Sequence, residues 1–163
     1  DTNFKMKPPL RSASDVAALV EGLRTGVVDV IATDHAPHTA EEKGRGFFEA
    51  PFGIVGLETA VSLVLDRFVA PGIISLDRFV ELLSTNPARL LGLATKGRVA
   101  AGADADLTIL DPDLPVTVDT SEFESKGRNT PFDGWILKGG PVMTIAGGRV
   151  LYPFDEGSAS HRP

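Results

Sequence analysis

Apolar positions in the first half of the chain alternate between helical and strand-like spacing. A set recurring every three or four residues predicts a helix that Ser14 caps and Gly26 ends, with Val16, Leu19, Val20 and Leu23 inward. The short, β-branched segment 27–33 predicts a buried strand, and a further strand is expected before Lys5. Strands that alternate with helices in this way are typical of an α/β fold.

Three more helices are predicted between residues 57 and 92. The first has one apolar face and ends at Pro71, the second begins with Ser75 as its cap, and the third begins with Asn86 as cap and stops at Gly92. Before them lies the polar, glycine-containing stretch 34–53. A connection of this length within a compact domain is often functional.

The second half of the chain has a different pattern. Short apolar runs separated by Gly, Pro and Asp predict strands over 107–110, 116–118, 135–137, 142–145 and 149–152, with turns at 139–141 and 147–148. This pattern predicts a small antiparallel β unit. Two parallel strands do not make a stable sheet, and a closed (β/α)8 barrel needs about 250 residues. The 163-residue chain is therefore expected to be part of a longer protein.

Composition narrows the function classes. Acidic residues outnumber basic ones by 22 to 16, and the basic residues do not cluster, which argues against a nucleic-acid surface. No apolar run approaches the roughly 20 residues of a membrane span. The chain has no Cys, so disulfides and thiolate metal sites are excluded, and a cytoplasmic setting is compatible.

The densest chemical cluster, Thr33-Asp34-His35-Ala36-Pro37-His38, directly follows the predicted strand. The residues leave two interpretations of Asp34 open: a metal-binding carboxylate that also transfers protons, or a cap in a turn. His35 and His38, taken alone, favour hydrogen-bonded structural histidines. The sequence holds no HxH, HExxH or CxxC pattern, so a complete metal site is not expected from this chain.

This cluster resembles the dihydroorotase signature of the amidohydrolase superfamily. Segments 3–11, 50–59, 102–107 and 126–135 are also similar to that family, so the resemblance extends over residues 1 to about 152. It implies the C-terminal portion of a (β/α)8 TIM barrel of the amidohydrolase type in residues 1–93. It further implies part of a small antiparallel β-sandwich in residues 94–157, with a tail over 158–163.

The resemblance also implies a function: zinc-dependent interconversion of dihydroorotate and N-carbamoyl-L-aspartate in pyrimidine biosynthesis, with one or two Zn²⁺ ions in the complete enzyme. Asp34 would be the metal ligand and general acid/base. His38, the backbone around Phe52 and Gly53, and Lys7 would contact the substrate. Lys7 departs from the family pattern, which has Asn at this position. Glu58 is expected to be no more than a favourable charge at a helix N-terminus.

The family's other metal ligands would precede Asp1, so this chain alone is expected to be inactive. Its expected partners are a small-molecule substrate, the N-terminal part of the same enzyme, and either a second copy or aspartate transcarbamoylase, with neither nucleic acid nor membrane. Two alternatives remain open: a non-catalytic dihydroorotase-like scaffold of aspartate transcarbamoylase, and a sister amidohydrolase such as an allantoinase or dihydropyrimidinase.

Overall fold

The structure, a computed structural model, describes residues 1–152. Its helical part comprises a 3-10 turn over Thr2–Phe4 and five α-helices: α1 (Ala13–Thr25), α2 (Ala40–Lys43), α3 (Ala60–Val64), α4 (Leu76–Val80) and α5 (Asn86–Leu90). Wider π-type turns extend α3 over Leu65–Val69 and join α4 to α5 over Glu81–Thr85. No helix in this part of the chain combines the length and the apolar character that a membrane span requires.

The first long helix begins two residues earlier than the sequence predicts. Ser12, not Ser14, is its N-cap, because the Ser12 hydroxyl accepts from the amide of Asp15 and the Asp15 carboxylate accepts in return from the Ser12 amide. Gly26 ends the helix in the left-handed conformation at φ 82°, as predicted.

The helix cap predicted at Asn86 is wrong, because the helical path runs continuously from α4 into α5. The Asn86 side chain is instead buried, and its Nδ2 donates to the carbonyl of Asp29 at 2.9 Å. The cap predicted at Ser75 is confirmed, since its hydroxyl accepts from the amide of Arg78.

The strands predicted before Lys5 and over 27–33 are not formed within the described residues. Thr2–Phe4 is a 3-10 turn, and segment 27–33 pairs with no strand in this part of the chain. Its backbone groups bond to the helices instead: the Ile31 amide donates to Leu82, and Arg78 donates to the Val28 carbonyl. A strand assignment needs a hydrogen-bonded neighbour, and no neighbouring strand lies in residues 1–152.

The second half forms a three-stranded antiparallel sheet in the order β1 (Leu107–Thr117), β2 (Ile136–Ala146) and β3 (Arg149–Tyr152). The predicted antiparallel unit is therefore present, with five short strands merged into three. A tight turn at Gly147 and Gly148, both with positive φ, joins β2 to β3 as predicted. A second sheet, which a sandwich requires, is not found in residues 1–152, and the predicted tail at 158–163 lies outside the described residues.

The turn predicted at 139–141 is wrong, because β2 runs through it. A Cβ on Gly139 would lie 2.8 Å from Cβ of Leu65, and one on Gly140 would lie 2.7 Å from Cγ2 of Val116. Gly139 therefore lets the sheet approach the helical layer closely, and Gly140 makes room for the Val116 side chain of β1, so neither glycine reverses the chain. The core lies on the helical side of this contact, formed by Leu23, Val64, Leu65, Ile74, Phe79 and Leu82.

Candidate active site

Asp34 has an unusual backbone. Among residues 1–152 it is the one residue other than glycine with a positive φ, at 45°. An L-residue in this region is disfavoured by roughly 1 kcal/mol or more, and such strain is concentrated at functional sites. Its side chain is exposed at the start of the loop that follows segment 27–33.

The neighbours of Asp34 hold this conformation. The ring Nδ1 of His35 accepts from the amides of Gly56 at 3.1 Å and Leu57 at 3.4 Å. Nε2 must then carry the proton, and it lies 3.3 Å from Oγ of Ser125. His35 is therefore a hydrogen-bonded structural histidine, as the residues alone favoured. The next amide, that of Ala36, donates to Ile54.

Glu58 continues this chain of contacts instead of serving only as a helix charge. Its Oε1 accepts from the amide of Ser125 at 2.8 Å, across 67 positions of sequence. Burial raises the pKa of Glu58, but the hydrogen bonds from the side chain and amide of Ser125 outweigh it, so the pKa lies below the ordinary 4.5. Hydrogen bonds thus connect Glu58 to Ser125 and Ser125 to His35, the residue that follows Asp34.

The four predicted substrate-contacting residues lie together. Nε2 of His38 donates to the Phe52 carbonyl at 3.0 Å, and Nζ of Lys7 lies 5.9 Å from the centre of the Phe52 ring. Gly53 has φ 106°, and a Cβ there would lie 2.6 Å from Cβ of Ala36. Gly53 therefore lets its loop approach the Asp34 loop closely. A contact with substrate remains a prediction for all four residues.

Asn129, which sequence reasoning missed, joins the two loops. It is 5% exposed, and its Nδ2 donates to the carbonyls of Ala36 at 2.9 Å and Gly53 at 3.2 Å. Its Oδ1 accepts from the amide of His38 at 3.0 Å. The available signal was its place in segment 126–135, which carries part of the family resemblance. In the structure, Gly127 of the same segment packs closely on Pro37.

Two buried lysines were also missed. Lys5 and Lys43 donate to backbone carbonyls between residues 48 and 53. An open cavity of about 400 Å³ lies beside His38 and Lys43, and the exposed side chains of Lys126 and Arg128 also line it. These side chains make the cavity wall basic, which suits an anionic ligand.

Among the described residues of the candidate site, Asp34 is the one whose side chain could bind a metal ion. Its carboxylate is exposed, while the hydrogen bonds of this loop engage the rings of His35 and His38. Among residues 1–152, no three His, Asp or Glu side chains lie close enough together to hold a metal ion. The described chain therefore supplies one candidate donor to a site that needs others.

Comparison with known proteins gives consistent matches. Residues 6–151 match the model of the amidohydrolase family. Dihydroorotase from Pelotomaculum thermopropionicum is 59% identical over 151 residues, and dihydroorotase from Brevibacillus brevis is 53% identical over 152 residues. Each match covers 93% of this chain and 35% of the relative, so the chain spans about a third of these enzymes.

Solved structures show the same fold. L-hydantoinase (dihydropyrimidinase) from Arthrobacter aurescens matches with a TM-score of 0.89 and 39% identity over 95% of this chain and 35% of that chain. D-hydantoinase (dihydropyrimidinase) from Thermus sp. matches with a TM-score of 0.85 and 31% identity over 93% of this chain and 34% of that chain.

Proposed function

The chain belongs to the amidohydrolase family, and from this premise we propose that it is the C-terminal part of a dihydroorotase. The observation that carries the proposal is Asp34, which belongs to the segment that resembles the dihydroorotase signature and has a strained backbone and an exposed carboxylate. Identity of 59% to a dihydroorotase over nearly the whole chain supports this assignment. The proposed reaction interconverts dihydroorotate and N-carbamoyl-L-aspartate in pyrimidine biosynthesis.

Asp34 is the proton carrier of this reaction. In the hydrolytic direction, its carboxylate accepts a proton from the attacking water and delivers that proton to the ring nitrogen that leaves. One carboxylate serves both steps because it is exposed and the network of Glu58, Ser125 and His35 fixes its backbone. Zinc, when bound, would polarise the amide carbonyl and make the water more acidic, with Asp34 as one of its ligands.

Substrate binding falls to the cluster around Phe52. Dihydroorotate carries a carboxylate; Lys7 lies near the Phe52 ring, and His38, which bonds to Phe52, lines the neighbouring cavity together with Lys126 and Arg128. Nε2 of His38 donates to the Phe52 carbonyl, and Nδ1 lies 3.6 Å from Oε2 of Glu42, so a contact of His38 with the substrate would use the Nδ1 edge of the ring in place of Glu42. The Lys7 ammonium pairs with a carboxylate as a point charge, where the family pattern has an uncharged amide.

The remaining parts of the proposal concern the whole enzyme. Residues 1–93 would complete the amidohydrolase barrel, residues 94–157 would contribute to its β-sandwich, and the N-terminal part would supply the other zinc ligands. We place the enzyme in the cytoplasm, as a homodimer or in complex with aspartate transcarbamoylase.

A second candidate, a sister cyclic-amide hydrolase, is favoured by the structural matches, which are hydantoinases and dihydropyrimidinases. Hydantoin and dihydrouracil are neutral rings without a carboxylate, whereas the cavity beside His38 is basic. A substrate panel on the full-length protein separates the two. We expect turnover of dihydroorotate and at most slow turnover of hydantoin, dihydrouracil and allantoin.

Asp34→Asn in the full-length protein tests the catalytic assignment. Asparagine tolerates the same backbone but cannot carry the proton, so we expect kcat to fall by about 10³-fold. Asp77→Asn, at an exposed carboxylate in the first turn of α4, is the matched control and should retain full activity. Residual activity within tenfold of the unmodified enzyme would contradict the role of Asp34, and inactivity of the unmodified full-length protein would favour the scaffold alternative.

A further inference from the structure

The loop of residues 48–53 turns four backbone carbonyls toward two buried ammonium groups. Nζ of Lys5 donates to the carbonyls of Phe48 at 2.9 Å and Ala50 at 2.7 Å. Nζ of Lys43 donates to the carbonyls of Pro51 at 3.1 Å and Gly53 at 3.0 Å. The lysines come from two separate segments, one beside the chain's first turn and one at the end of α2, so they hold the loop from two sides.

Both lysines are unusually buried for their type, with exposed fractions of 8% for Lys5 and 5% for Lys43. Within residues 1–152, neither forms an ion pair with a carboxylate, so the loop carbonyls replace the water that these charges lose. Burial lowers the pKa of Lys43, and the nearby charge of Lys5 lowers it further. Two like charges buried side by side are an expensive way to stabilise a fold, which points to another role.

The peptides that the lysines hold are those proposed to line the substrate. Lys43 fixes the carbonyls on both sides of Phe52, while the amide of Gly53 donates to the Lys5 carbonyl at 2.9 Å. The Lys5 ammonium also lies 4.7 Å from the centre of the Phe52 ring. With these groups fixed, the Phe52 carbonyl faces His38 and orients its ring.

We propose that Lys5 and Lys43 are positioning residues for substrate binding. They act through the backbone of residues 50–53, which they hold in the arrangement that orients Phe52, Gly53 and His38 toward the substrate. This inference rests on the proposed function, since it takes the same loop to be the substrate-lining loop.

The test uses the full-length enzyme with Lys5→Met and Lys43→Met, which keep the length and apolar stem of the side chain but remove its donors. We expect KM for dihydroorotate to rise about tenfold, because misplacement of a binding group weakens substrate binding. We expect kcat to stay within about threefold, since Asp34 is held by other contacts. Lys138→Met, at an exposed lysine of β2, is the matched control and should change neither constant.

Two further measurements distinguish positioning from general stability. Lys43→Arg keeps charged donors for the same carbonyls, so its KM should lie between those of the unmodified enzyme and Lys43→Met. Amide exchange at Phe52 and Gly53 should become faster in both methionine variants, with no change at residues 76–90. A raised thermal sensitivity with an unchanged KM would overturn the proposal, because the lysines would then only stabilise the fold.

The two proposals fail in different ways. If the unmodified full-length protein does not hydrolyse dihydroorotate, the proposed function fails, and the exchange measurement alone judges the lysines. Unchanged exchange at Phe52 and Gly53 in Lys43→Met, relative to Lys138→Met, would then overturn their positioning role. Faster exchange confined to this loop would support it whatever the substrate proves to be.

Discussion

At the scale of single residues, the backbone of Asp34 depends on the contacts that its neighbour His35 makes with residues distant in sequence. Its φ of 45° is kept by the ring of His35, which docks on two backbone amides and on Ser125. Local strain of this kind persists only where surrounding contacts over-determine it. The chemistry proposed for Asp34 therefore rests on Ser125 and Glu58 as much as on the signature itself.

Glu58→Gln tests this dependence through pH. The pKa of Glu58 is lowered in the folded protein, so its charged form contributes stability that is present above pH 4.5 and is lost as pH falls below it. We expect the unmodified protein to be more stable than Glu58→Gln near pH 7 and the difference to shrink toward pH 3. Chemical denaturation at a series of pH values measures it. A difference that is constant with pH would show that the charge of Glu58 does not stabilise the fold.

The sequence could locate Asp34 and His38 but not the residues that hold them. The local pattern marks Asp34 as a polar residue after a β-branched run and leaves its role open, and the resemblance to the dihydroorotase signature is what singles it out. Asn129 and Ser125 bond to the loop across 90 or more positions, and no local periodicity reports such a contact. The polar role of Glu58 was missed for the same reason, since its partner lies 67 positions away.

At the scale of elements, the sequence predicted correctly those features that depend on interactions between neighbouring residues. Gly26, Ser75 and the Gly147-Gly148 turn were predicted because caps and tight turns depend on a few adjacent residues. Segment 27–33 was predicted as a strand from its composition, but a strand also needs a neighbour, which residues 1–152 do not provide.

The N-terminus of α1 offers a direct test of the cap assignment. Ser12→Ala removes the hydroxyl that accepts from the Asp15 amide, while the backbone amide of residue 12 can still donate to the Asp15 carboxylate. The loss of this cap should lower the free energy of unfolding by about 1 kcal/mol. Ser14→Ala, at the cap position that the sequence predicted, lies inside the helix and should change it by a few tenths of a kcal/mol. Equal losses in thermal or denaturant unfolding would contradict the assignment.

Gly139 tests the contact between the sheet and the helical layer. Gly139→Ala adds a methyl group 2.8 Å from Cβ of Leu65 at a φ of 93°, so we expect a loss of roughly 2 kcal/mol or more from overpacking and backbone strain. Gly102→Ala is the matched control, because Gly102 also has a positive φ, at 83°, but a Cβ there meets no atom within 4 Å. The control should lose only the strain, about 1 kcal/mol. Similar losses for both variants, measured by denaturant unfolding, would show that the sheet does not press on Leu65.

At the scale of the whole molecule, the chain spans about a third of the length of its relatives. Large apolar side chains are exposed on several elements, among them Leu19 at 57%, Val27 at 79% and Leu90 at 76%. A large apolar side chain loses free energy by remaining in water, so exposure on several elements favours their contact with another surface. This exposure supports the proposal that further parts of the enzyme cover the helical layer.

The 163-residue chain by itself should show no turnover of dihydroorotate. Asp34 alone cannot assemble a zinc centre, because residues 1–152 place no three candidate ligands together. A spectrophotometric assay of the purified chain, with zinc added and with the full-length protein as positive control, checks this expectation. Turnover by the chain alone would contradict the proposal that its missing ligands lie elsewhere in the enzyme.

The contacts of Asn129 have a consequence for the order in which parts of the chain fold. Its amide joins Ala36 and Gly53 to a segment that precedes β2, so the two loops of the candidate site are completed by a closure of about 90 residues. Closures of this span come late in folding because their entropy must be spent before the contact forms. We therefore expect a nascent chain to acquire its helices first and the loops of the candidate site last, when the region around Asn129 has emerged and docked.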